Sequence, residues 1–279
     1  MPVTPTFLDD HHLRIGSTDF WCAFPFTDAP AGFLEVMKGR ELVERYIDLV
    51  RDLRPKVVFE LGIRRGGSTA LLSELTEPDK LVAVEISERP MPSLRDYIER
   101  RGLADRVRPF YGVDQSDRPR LEQILAEEIG NRPIDLVVDD ASHRYPETVS
   151  SFDTLFPRLR PGGLFVLEDW NGRHLMADQI AEALRDPTHA DHDPMEQRVG
   201  DAYGAQVAAT GQLEVPLTRL GVEFMLVRAS NGDAIRQVLF NRHWIVVERG
   251  ADELDPERFR LADHVNDHFR FTTDQTRTS

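Results

Sequence analysis

Residues 134–143 read Ile-Asp-Leu-Val-Val-Asp-Asp-Ala-Ser-His, and residues 163–169 read Gly-Leu-Phe-Val-Leu-Glu-Asp. Each stretch is a short apolar run that stops at two adjacent carboxylates. Such runs are typical of buried parallel strands, which present polar groups at the carboxyl edge of an open α/β sheet. Ligands bind at that edge, so we expect Asp140, Glu168 and Asp169 to lie there within reach of His143.

The rest of residues 40–169 alternates between helical and extended patterns. Apolar residues recur at helical spacing over 40–53, and Pro55 ends that helix. Five consecutive strand–helix units predict an α/β fold with a doubly wound, mostly parallel sheet covered by helices on both faces. The further predicted strands are 56–61, 81–86 and 107–111, and the further helices are 68–75, 92–101, 118–129 and 147–159.

The flanking segments lack this alternation. We expect residues 1–38 to be an irregular N-terminal cap, residues 39–271 to form one domain, and residues 272–279 to be a frayed tail. The stretch 186–215 is long and rich in Pro, Gly, His and Asp. A connection of this length indicates a functional loop or lid that contacts the acceptor substrate, or a partly disordered segment.

The C-terminal part gives weaker patterns. A helix is predicted over 174–184. Strands are predicted over 222–227 and 244–248, so that the sheet would end in an antiparallel pair from the last two strands. The segment 234–240 between them is ambiguous.

The composition is that of a globular protein with acidic character. Of 279 residues, 41% are hydrophobic, which is too apolar for a disordered chain, and the formal net charge is −14. This charge argues against nucleic acid or an anionic membrane as the main partner. A single cysteine, Cys22, excludes an internal disulfide framework and favours a reducing compartment. Without a signal-peptide pattern or an apolar run of roughly 20 residues, we expect a soluble, cytoplasmic protein.

Residues 57–68 read Val-Val-Phe-Glu-Leu-Gly-Ile-Arg-Arg-Gly-Gly-Ser, a strand that enters a glycine-rich turn and then a helix. Glycines let the backbone turn sharply and let a ligand approach closely. The spacing of Gly62, Gly66 and Gly67 does not match the dinucleotide pattern G-x-G-x-x-G, and the P-loop lysine is absent. Glu60, just before the turn, would repel a pyrophosphate and attract the ammonium group of an amino acid.

Two later strand ends carry groups that suit a nucleoside. Glu85 lies about 20 residues after the turn, where a carboxylate suits two adjacent ribose hydroxyls. Asp114 and Ser116 follow the next strand and could meet an adenine. A ligand with adenine, ribose and a cationic amino-acid end is S-adenosylmethionine. The alternative is that Glu60 and Glu85 only cap helix N-termini.

Over residues 56–169 the chain resembles the core of a class I S-adenosylmethionine-dependent methyltransferase. It is similar to the metal-dependent O-methyltransferases of antibiotic sugars, of the macrocin and mycinamicin type, and to the related cephalosporin-tailoring family. Ala141 stands where that family usually has glycine. The resemblance implies a Rossmann-like sheet of seven strands with an antiparallel last strand. It is carried by Glu60-Leu61-Gly62, Arg65-Gly66-Gly67-Ser68, Asp139-Asp140-Ala141-Ser142-His143 and Arg160-Pro161-Gly162-Gly163, which leads to Glu168-Asp169.

The resemblance also implies residue roles. Asp140, Glu168 and Asp169 would hold Mg²⁺, and His143 would be the general base. Strand alternation sends Asp139 and Asp140 to opposite sides, and we assign Asp139 to the cofactor, although which of the two is the metal ligand stays open. Solvated strand ends remain the alternative for both acidic pairs. The predicted S-adenosylmethionine-binding residues are Glu60, Gly62, Arg65, Gly66, Ser68, Glu85, Asp114, Ser116 and Asp139.

These features predict an O-methyltransferase that acts on a hydroxyl of a glycosylated or otherwise polar natural product. Two other functions stay open: a non-catalytic S-adenosylmethionine-binding protein of the same fold, and a dinucleotide-dependent oxidoreductase, which the turn spacing and Glu60 disfavour. The resemblance further implies a homo-oligomer, because related N-terminal segments can complete a neighbour's site. The sequence does not identify the acceptor.

Overall fold

The structure of this protein is a computed structural model that describes residues 4–24, 27–172, 174–175, 215–230, 232–266 and 268. From residue 40 to residue 168, strands and helices alternate as the sequence predicts. The α-helices with both ends among the described residues are α1 (Arg40–Leu53), α2 (Gly67–Thr76), α3 (Pro92–Arg101), α4 (Arg118–Glu128), α5 (Tyr145–Leu155), α6 (Thr218–Ala229) and α7 (Leu261–His264).

The main sheet contains seven strands within these described residues, in the order β10-β11-β9-β8-β5-β6-β7. They are β5 (Val57–Leu61), β6 (Lys80–Glu85), β7 (Val107–Tyr111), β8 (Ile134–Asp139), β9 (Leu159–Glu168), β10 (Ile235–Phe240) and β11 (Trp244–Arg249). Strands β5 to β9 are parallel, whereas β11 is antiparallel to both β9 and β10. The predicted doubly wound, Rossmann-like sheet with an antiparallel last strand is confirmed.

The strand order also locates the ligand-binding edge. The chain moves outward in one direction through β5, β6 and β7 and in the other through β8 and β9. In open α/β sheets, a crevice forms beyond the carboxyl ends of the strands where this reversal occurs. Here the reversal lies between β5 and β8, so the crevice lies beside the glycine turn and the first acidic pair.

Successive side chains of each strand point to opposite sides of the main sheet, and helices cover both of its faces. On β5, Phe59 packs into an apolar cluster with α4, α5 and α6, which includes Phe152 and Phe224. Val58 packs into a second cluster with α1, α2, α3 and the N-terminal segment. Each fully buried aliphatic or aromatic side chain contributes about 1.5–3 kcal/mol, so both helix layers are held by apolar burial.

The N-terminal segment is not the irregular cap that the sequence predicts. Its described part forms a four-stranded sheet in the order β1-β2-β3-β4, with strands β1 (Thr6–Phe7), β2 (His12–Ile15), β3 (Thr18–Cys22) and β4 (Leu34–Val36). Leu13, Ile15 and Phe20 are buried in the second apolar cluster. The strands are so short that no long alternating pattern develops, and this is why the prediction fails.

The predicted strand at 222–227 is also wrong, because this segment lies within α6. Leu220, Phe224 and Val227 are buried on one side of α6 and pack against the main sheet. Their spacing is that of a helix face, but the run of apolar residues between them hides it. The ambiguous segment 234–240 forms β10, and the predicted strand at 244–248 is confirmed as β11.

Three predictions fall almost wholly outside the described residues: the helix at 174–184, the loop at 186–215 and the tail at 272–279. The described helices include none that is long and apolar enough to cross a membrane.

A close contact fixes the N-terminal sheet to the main domain. Strand β4 lies against the first turn of α2, where a Cβ atom at Gly67 would overlap the backbone carbonyl of Glu35. The backbone of Gly67 does not adopt a positive φ angle. Glycine is therefore required at this position by space and not by backbone conformation.

We expect Gly67→Ala to lower the free energy of unfolding by about 1–3 kcal/mol, because the added methyl group must push β4 away from α2. Denaturant unfolding measures the change. The matched control is Gly39→Ala, where no described atom lies within 4 Å of the added Cβ and only the N-cap preference of α1 is lost. Equal losses in the two variants would contradict the close contact.

Candidate active site

The carboxyl ends of the central strands open into a cavity of about 850 Å³. This volume is within the range of roughly 300–1,000 Å³ that is usual for small-molecule sites. The cavity brings the glycine turn and both acidic pairs together. The predicted site residues that line it are Gly62, Arg65, Ser68, Glu85, Asp114, Asp140, His143, Glu168 and Asp169.

Glu85 connects β6 to the glycine turn. Its Oε2 atom accepts hydrogen bonds from the backbone N–H groups of Ile63 and Arg64, at 3.1 and 2.7 Å. Its Oε1 atom accepts one from the backbone N–H of Ser87 at 3.0 Å. The carboxylate thus holds the turn in place and also faces the cavity, so the structural and the ligand-binding interpretations of Glu85 are compatible.

The glycines of the turn are required by contacts within the chain. Gly62 has a φ angle of 96°, and a Cβ atom there would overlap the backbone carbonyl of Asp140. At Gly66 a Cβ atom would lie 2.5 Å from the Cβ of Leu94. The turn therefore packs directly on the end of β8, and this close approach keeps the turn and Asp140 in one site.

Asp139 is not placed in the cavity, and its assignment to the cofactor is revised. The residue is 1% exposed, and its carboxylate accepts hydrogen bonds from Gln115 Nε2 at 3.1 and 3.2 Å and from Ser151 Oγ at 2.9 Å. Burial raises the pKa of Asp139 to about 6 in spite of these donors. Asp139 and Asp140 do point to opposite sides, as strand alternation predicts, and Asp140 is the one that faces the cavity.

Gln115 is a structural residue that the sequence analysis missed. It is buried, and besides bonding Asp139 it accepts a hydrogen bond from the backbone N–H of Ser142 at 2.8 Å. It therefore links the loop after β7 to the loop after β8. Its neighbours Asp114 and Ser116 mainly bond each other, at 2.7 and 2.8 Å, and of these two Asp114 lines the cavity.

Glu60 also points away from the cavity. It is 1% exposed and accepts a hydrogen bond from Thr69 Oγ1 at 2.5 Å, on the side of the strand where Lys38 and Tyr46 lie. Burial raises the pKa of Glu60 to about 7, against the opposing hydrogen bonds of Ser68 and Thr69. In this position Glu60 holds the start of α2 and is not among the residues that line the cavity, so we do not include it in the proposed cofactor site.

The acidic cluster contains Asp140, His143 and Asp169, each of which offers one ligand atom within 4.8 Å of the others. His143 Nε2 lies 3.0 Å from Asp140 Oδ1 and 4.0 Å from Asp169 Oδ2. His143 and Asp169 have positive φ angles of 54° and 50°. Such angles cost energy for residues other than glycine and are concentrated at functional sites.

Lys38 is the most important residue that the sequence analysis missed. Its side chain is 6% exposed, and its Nζ atom donates hydrogen bonds to Asp140 Oδ2 at 2.6 Å and to Glu168 Oε2 at 2.7 Å. The other oxygen of Glu168 accepts a hydrogen bond from Tyr46 Oη at 2.5 Å. Both oxygens of Glu168 are thus bonded to protein groups, and Glu168 is not part of the cluster of Asp140, His143 and Asp169.

The pKa values follow from burial and these partners. Burial opposes the charged form of Lys38, but the charges of Asp140 and Glu168 outweigh it and raise the lysine pKa above its usual range. Burial would also raise the pKa of Asp140, yet Lys38 and His143 outweigh it and lower that pKa. In Glu168, burial and the nearby charge of Asp140 prevail and raise the pKa to about 7.

Known proteins that resemble this chain do so mainly in its central segment. Residues 59–170 match a family model described as a methyltransferase domain. Over 57 residues the chain is 57% identical to the 8-demethyl-8-alpha-L-rhamnosyl tetracenomycin-C 2'-O-methyltransferase of Streptomyces olivaceus, which covers 20% of this chain and 14% of that protein. Over 64 residues it is 47% identical to the mycinamicin VI 2''-O-methyltransferase of Micromonospora griseorubida, covering 23% of this chain and 15% of that protein.

These matches are local, because the chain spans 14–15% of the length of these two relatives. A solved structure supports the fold over a larger part. An S-adenosylhomocysteine-bound methyltransferase from Podospora anserina superposes with a TM-score of 0.50 at 19% identity, over 77% of this chain and 80% of that one.

We expect Gln115→Leu to lower the free energy of unfolding by about 1–3 kcal/mol, because the backbone N–H of Ser142 and part of the Asp139 carboxylate lose their buried partner. Thermal or denaturant unfolding measures this. Ser116→Ala is the control, since its hydroxyl bonds the exposed Asp114 and its loss is expected to change stability by less than about 0.5 kcal/mol. A Gln115→Leu protein as stable as the control would show that Gln115 does not tie the two loops.

Proposed function

We propose that the protein is an S-adenosylmethionine-dependent O-methyltransferase, because residues 59–170 match a family model described as a methyltransferase domain and the main sheet has the strand order of a Rossmann-like fold. Its acceptor would be a hydroxyl group of a sugar-bearing or otherwise polar natural product. The observation that carries the proposal is the shared cavity, which joins the glycine turn and Glu85 to Asp140, His143 and Asp169. One end offers contacts for a nucleoside, and the other offers a base beside carboxylates.

The cofactor end would be formed by the glycine turn, Glu85 and Asp114. Arg65 and Ser68 line the same part of the cavity at the start of α2. A carboxylate at the end of the second parallel strand suits the ribose hydroxyls, and Glu85 is already fixed by three backbone N–H groups. A pre-positioned carboxylate binds a hydroxyl without a further loss of side-chain entropy.

The acceptor end fits a divalent cation. Asp140 and Asp169 provide carboxylate oxygens, which Mg²⁺ prefers, and the cluster opens to the cavity. When bound, such an ion would make a nearby hydroxyl group more acidic. Glu168, the third predicted ligand, also lines the cavity, and Lys38 bonds one oxygen of Glu168 and one of Asp140. We therefore keep Asp140, Glu168 and Asp169 as the proposed oxygen ligands.

His143 would act as the general base. With its Nε2–H donated to Asp140 Oδ1, the neutral ring carries its lone pair on Nδ1. The acceptor hydroxyl gives its proton to this nitrogen while its oxygen forms a bond to the methyl carbon, and the bond from that carbon to the sulfonium sulfur breaks. The sulfur keeps the electron pair, so the products are a methyl ether and S-adenosylhomocysteine. Asp140 orients the imidazole throughout.

The named relatives act on sugar-bearing compounds, and this motivates the acceptor class. The Streptomyces olivaceus enzyme is named for a rhamnosyl tetracenomycin, and the Micromonospora griseorubida enzyme for mycinamicin VI. Oligomerisation remains part of the proposal. In this structure β4 and Lys38 lie against the active site of their own chain, so the N-terminal segment contributes to this cavity without a neighbour.

We expect S-adenosylhomocysteine to raise the melting temperature of the wild-type protein, because a ligand that binds only the folded state stabilises it. Glu85→Ala should weaken this binding by about tenfold or more, measured by calorimetric titration, since hydrogen bonds to a carboxylate contribute about 1.5–3 kcal/mol. Glu88→Ala, an exposed carboxylate near the same strand end, is the control. Failure of the wild type to bind would exclude both the enzyme and the non-catalytic binding protein.

We expect His143→Ala to lower the methyl-transfer rate by about 100-fold or more while S-adenosylhomocysteine still binds, because only the proton acceptor is removed. Mass spectrometry of a panel of glycosylated polyketides incubated with S-adenosylmethionine and Mg²⁺ measures the rate. His12→Ala is a matched control: its Nε2 lies 2.6 Å from Asp19, a similar pair outside the cavity. Binding without turnover on any acceptor would favour the non-catalytic alternative.

A further inference from the structure

The carboxylate that the sequence predicts as the partner of the cofactor's ammonium group does not face the cavity. Glu60 is 1% exposed, is bonded to Thr69 and is not among the residues that line the cavity. An ammonium group that leaves water for a partly enclosed cavity still needs a polar partner there. The amino-acid end of the cofactor therefore requires another acidic residue near the glycine turn.

Strand β4 of the N-terminal sheet brings a different carboxylate to this place. Leu34 and Val36 are buried in the second apolar cluster, so Glu35, between them, points to the opposite side of the strand. Glu35 lines the cavity, and its side chain is 23% exposed. Its backbone carbonyl lies so close to Gly67 that a Cβ atom there would overlap it. Glu35 is therefore held against the first turn of α2, where the glycine turn ends.

Glu35 is paired with an arginine of the glycine turn. Arg65 Nη1 donates a hydrogen bond to Glu35 Oε2 at 2.5 Å, and Arg65 also lines the cavity. Within the described residues, no hydrogen bond is made to the second oxygen of Glu35, Oε1. The pair thus places a carboxylate oxygen next to a guanidinium group. This arrangement is complementary to an α-amino acid, which carries an ammonium and a carboxylate group on one carbon atom.

Two carboxylates bond to the glycine turn among the described residues that line the cavity, Glu85 and Glu35. Glu85 uses both of its oxygens for backbone N–H groups and lies at the end of β6, where the ribose is expected. Glu35 lies at the other end of the turn, beside α2, and keeps one oxygen without a hydrogen bond. The two ends of the turn therefore suit the two ends of the cofactor.

We propose that the pair of Glu35 and Arg65 binds the zwitterionic amino-acid end of S-adenosylmethionine, an inference that rests on the proposed function. Glu35 accepts a hydrogen bond from the ammonium group and takes the role that the sequence assigns to Glu60. Arg65, which the sequence predicts as a cofactor-binding residue, binds the carboxylate group. The N-terminal sheet thus provides a direct contact to the cofactor in addition to its packing against α2.

The test compares two ligands by calorimetric titration into the full-length chain: S-adenosylhomocysteine and its deamino analogue, in which a hydrogen atom replaces the amino group. We expect Glu35→Gln to weaken binding of S-adenosylhomocysteine by about fivefold or more, because the ammonium group loses a charged partner. Binding of the deamino analogue should not weaken, since it carries no ammonium group. Glu41→Gln is the matched control, because Glu41 also lines the cavity and bonds an arginine, Arg45 Nη2 at 2.9 Å, but lies on α1. Both affinities of this control should stay within about twofold of the wild-type values.

Unchanged binding of S-adenosylhomocysteine by Glu35→Gln would overturn the proposal. Equal weakening of both ligands would overturn it too, because only a disturbed turn acts on both. If the variant does not fold, the wild type still decides: it should bind the deamino analogue about fivefold more weakly than S-adenosylhomocysteine, and equal affinities would contradict recognition of the ammonium group. A wild type that binds neither ligand would exclude the proposed function itself, whereas a wild type that binds S-adenosylhomocysteine with an unaffected Glu35→Gln variant excludes the role of Glu35 alone.

Discussion

The arrangement of the candidate active site depends on the register between β8 and β9. Asp139 pairs with Leu167, so Asp140 and Glu168, one residue further along each strand, come side by side at the edge of the sheet. Two carboxylates this close in a buried place repel each other unless a cation or a proton joins them. A slip of β9 by one residue would turn Glu168 to the opposite face, away from Asp140. The strand pairing therefore requires a positive charge between the two carboxylates, and the ammonium group of Lys38 provides it.

The contacts of Lys38 and Tyr46 link the N-terminal segment to the candidate active site. Lys38 comes from the connection between β4 and α1, and Tyr46, which bonds the same Glu168, comes from α1 itself. The contact of β4 with α2 at Gly67 holds this connection against the glycine turn. Loss of one partner of a buried ion pair leaves an uncompensated charge, which is strongly destabilising. Folding of the N-terminal sheet and the arrangement of the carboxylates Asp140 and Glu168 are therefore coupled.

The parts that the sequence predicts are those with a local pattern. Buried strands such as β8 and β9, the glycine turn and the cavity-facing Glu85 follow from periodicity and from the rule that ligands bind at strand carboxyl ends. Lys38 carries no such pattern, because its partners lie 102 and 130 residues away in the sequence. Strand alternation predicts that Asp139 and Asp140 face opposite sides, but only the packing of Gln115 and Ser151 decides which one is buried.

The carboxyl groups at the ends of the central strands differ in their burial and in the groups that bond them. Glu60 and Asp139 are buried on opposite faces of the main sheet, where burial raises their pKa values to about 7 and 6 and hydroxyl or amide donors satisfy them. Asp140 keeps a lowered pKa and faces the cavity, with the more exposed Asp169 beyond His143. Burial thus makes Glu60 and Asp139 weaker acids, whereas Asp140 keeps its negative charge at the cavity wall. A charged carboxylate at this point of the wall favours a cationic group beside it, whether a sulfonium or a divalent ion.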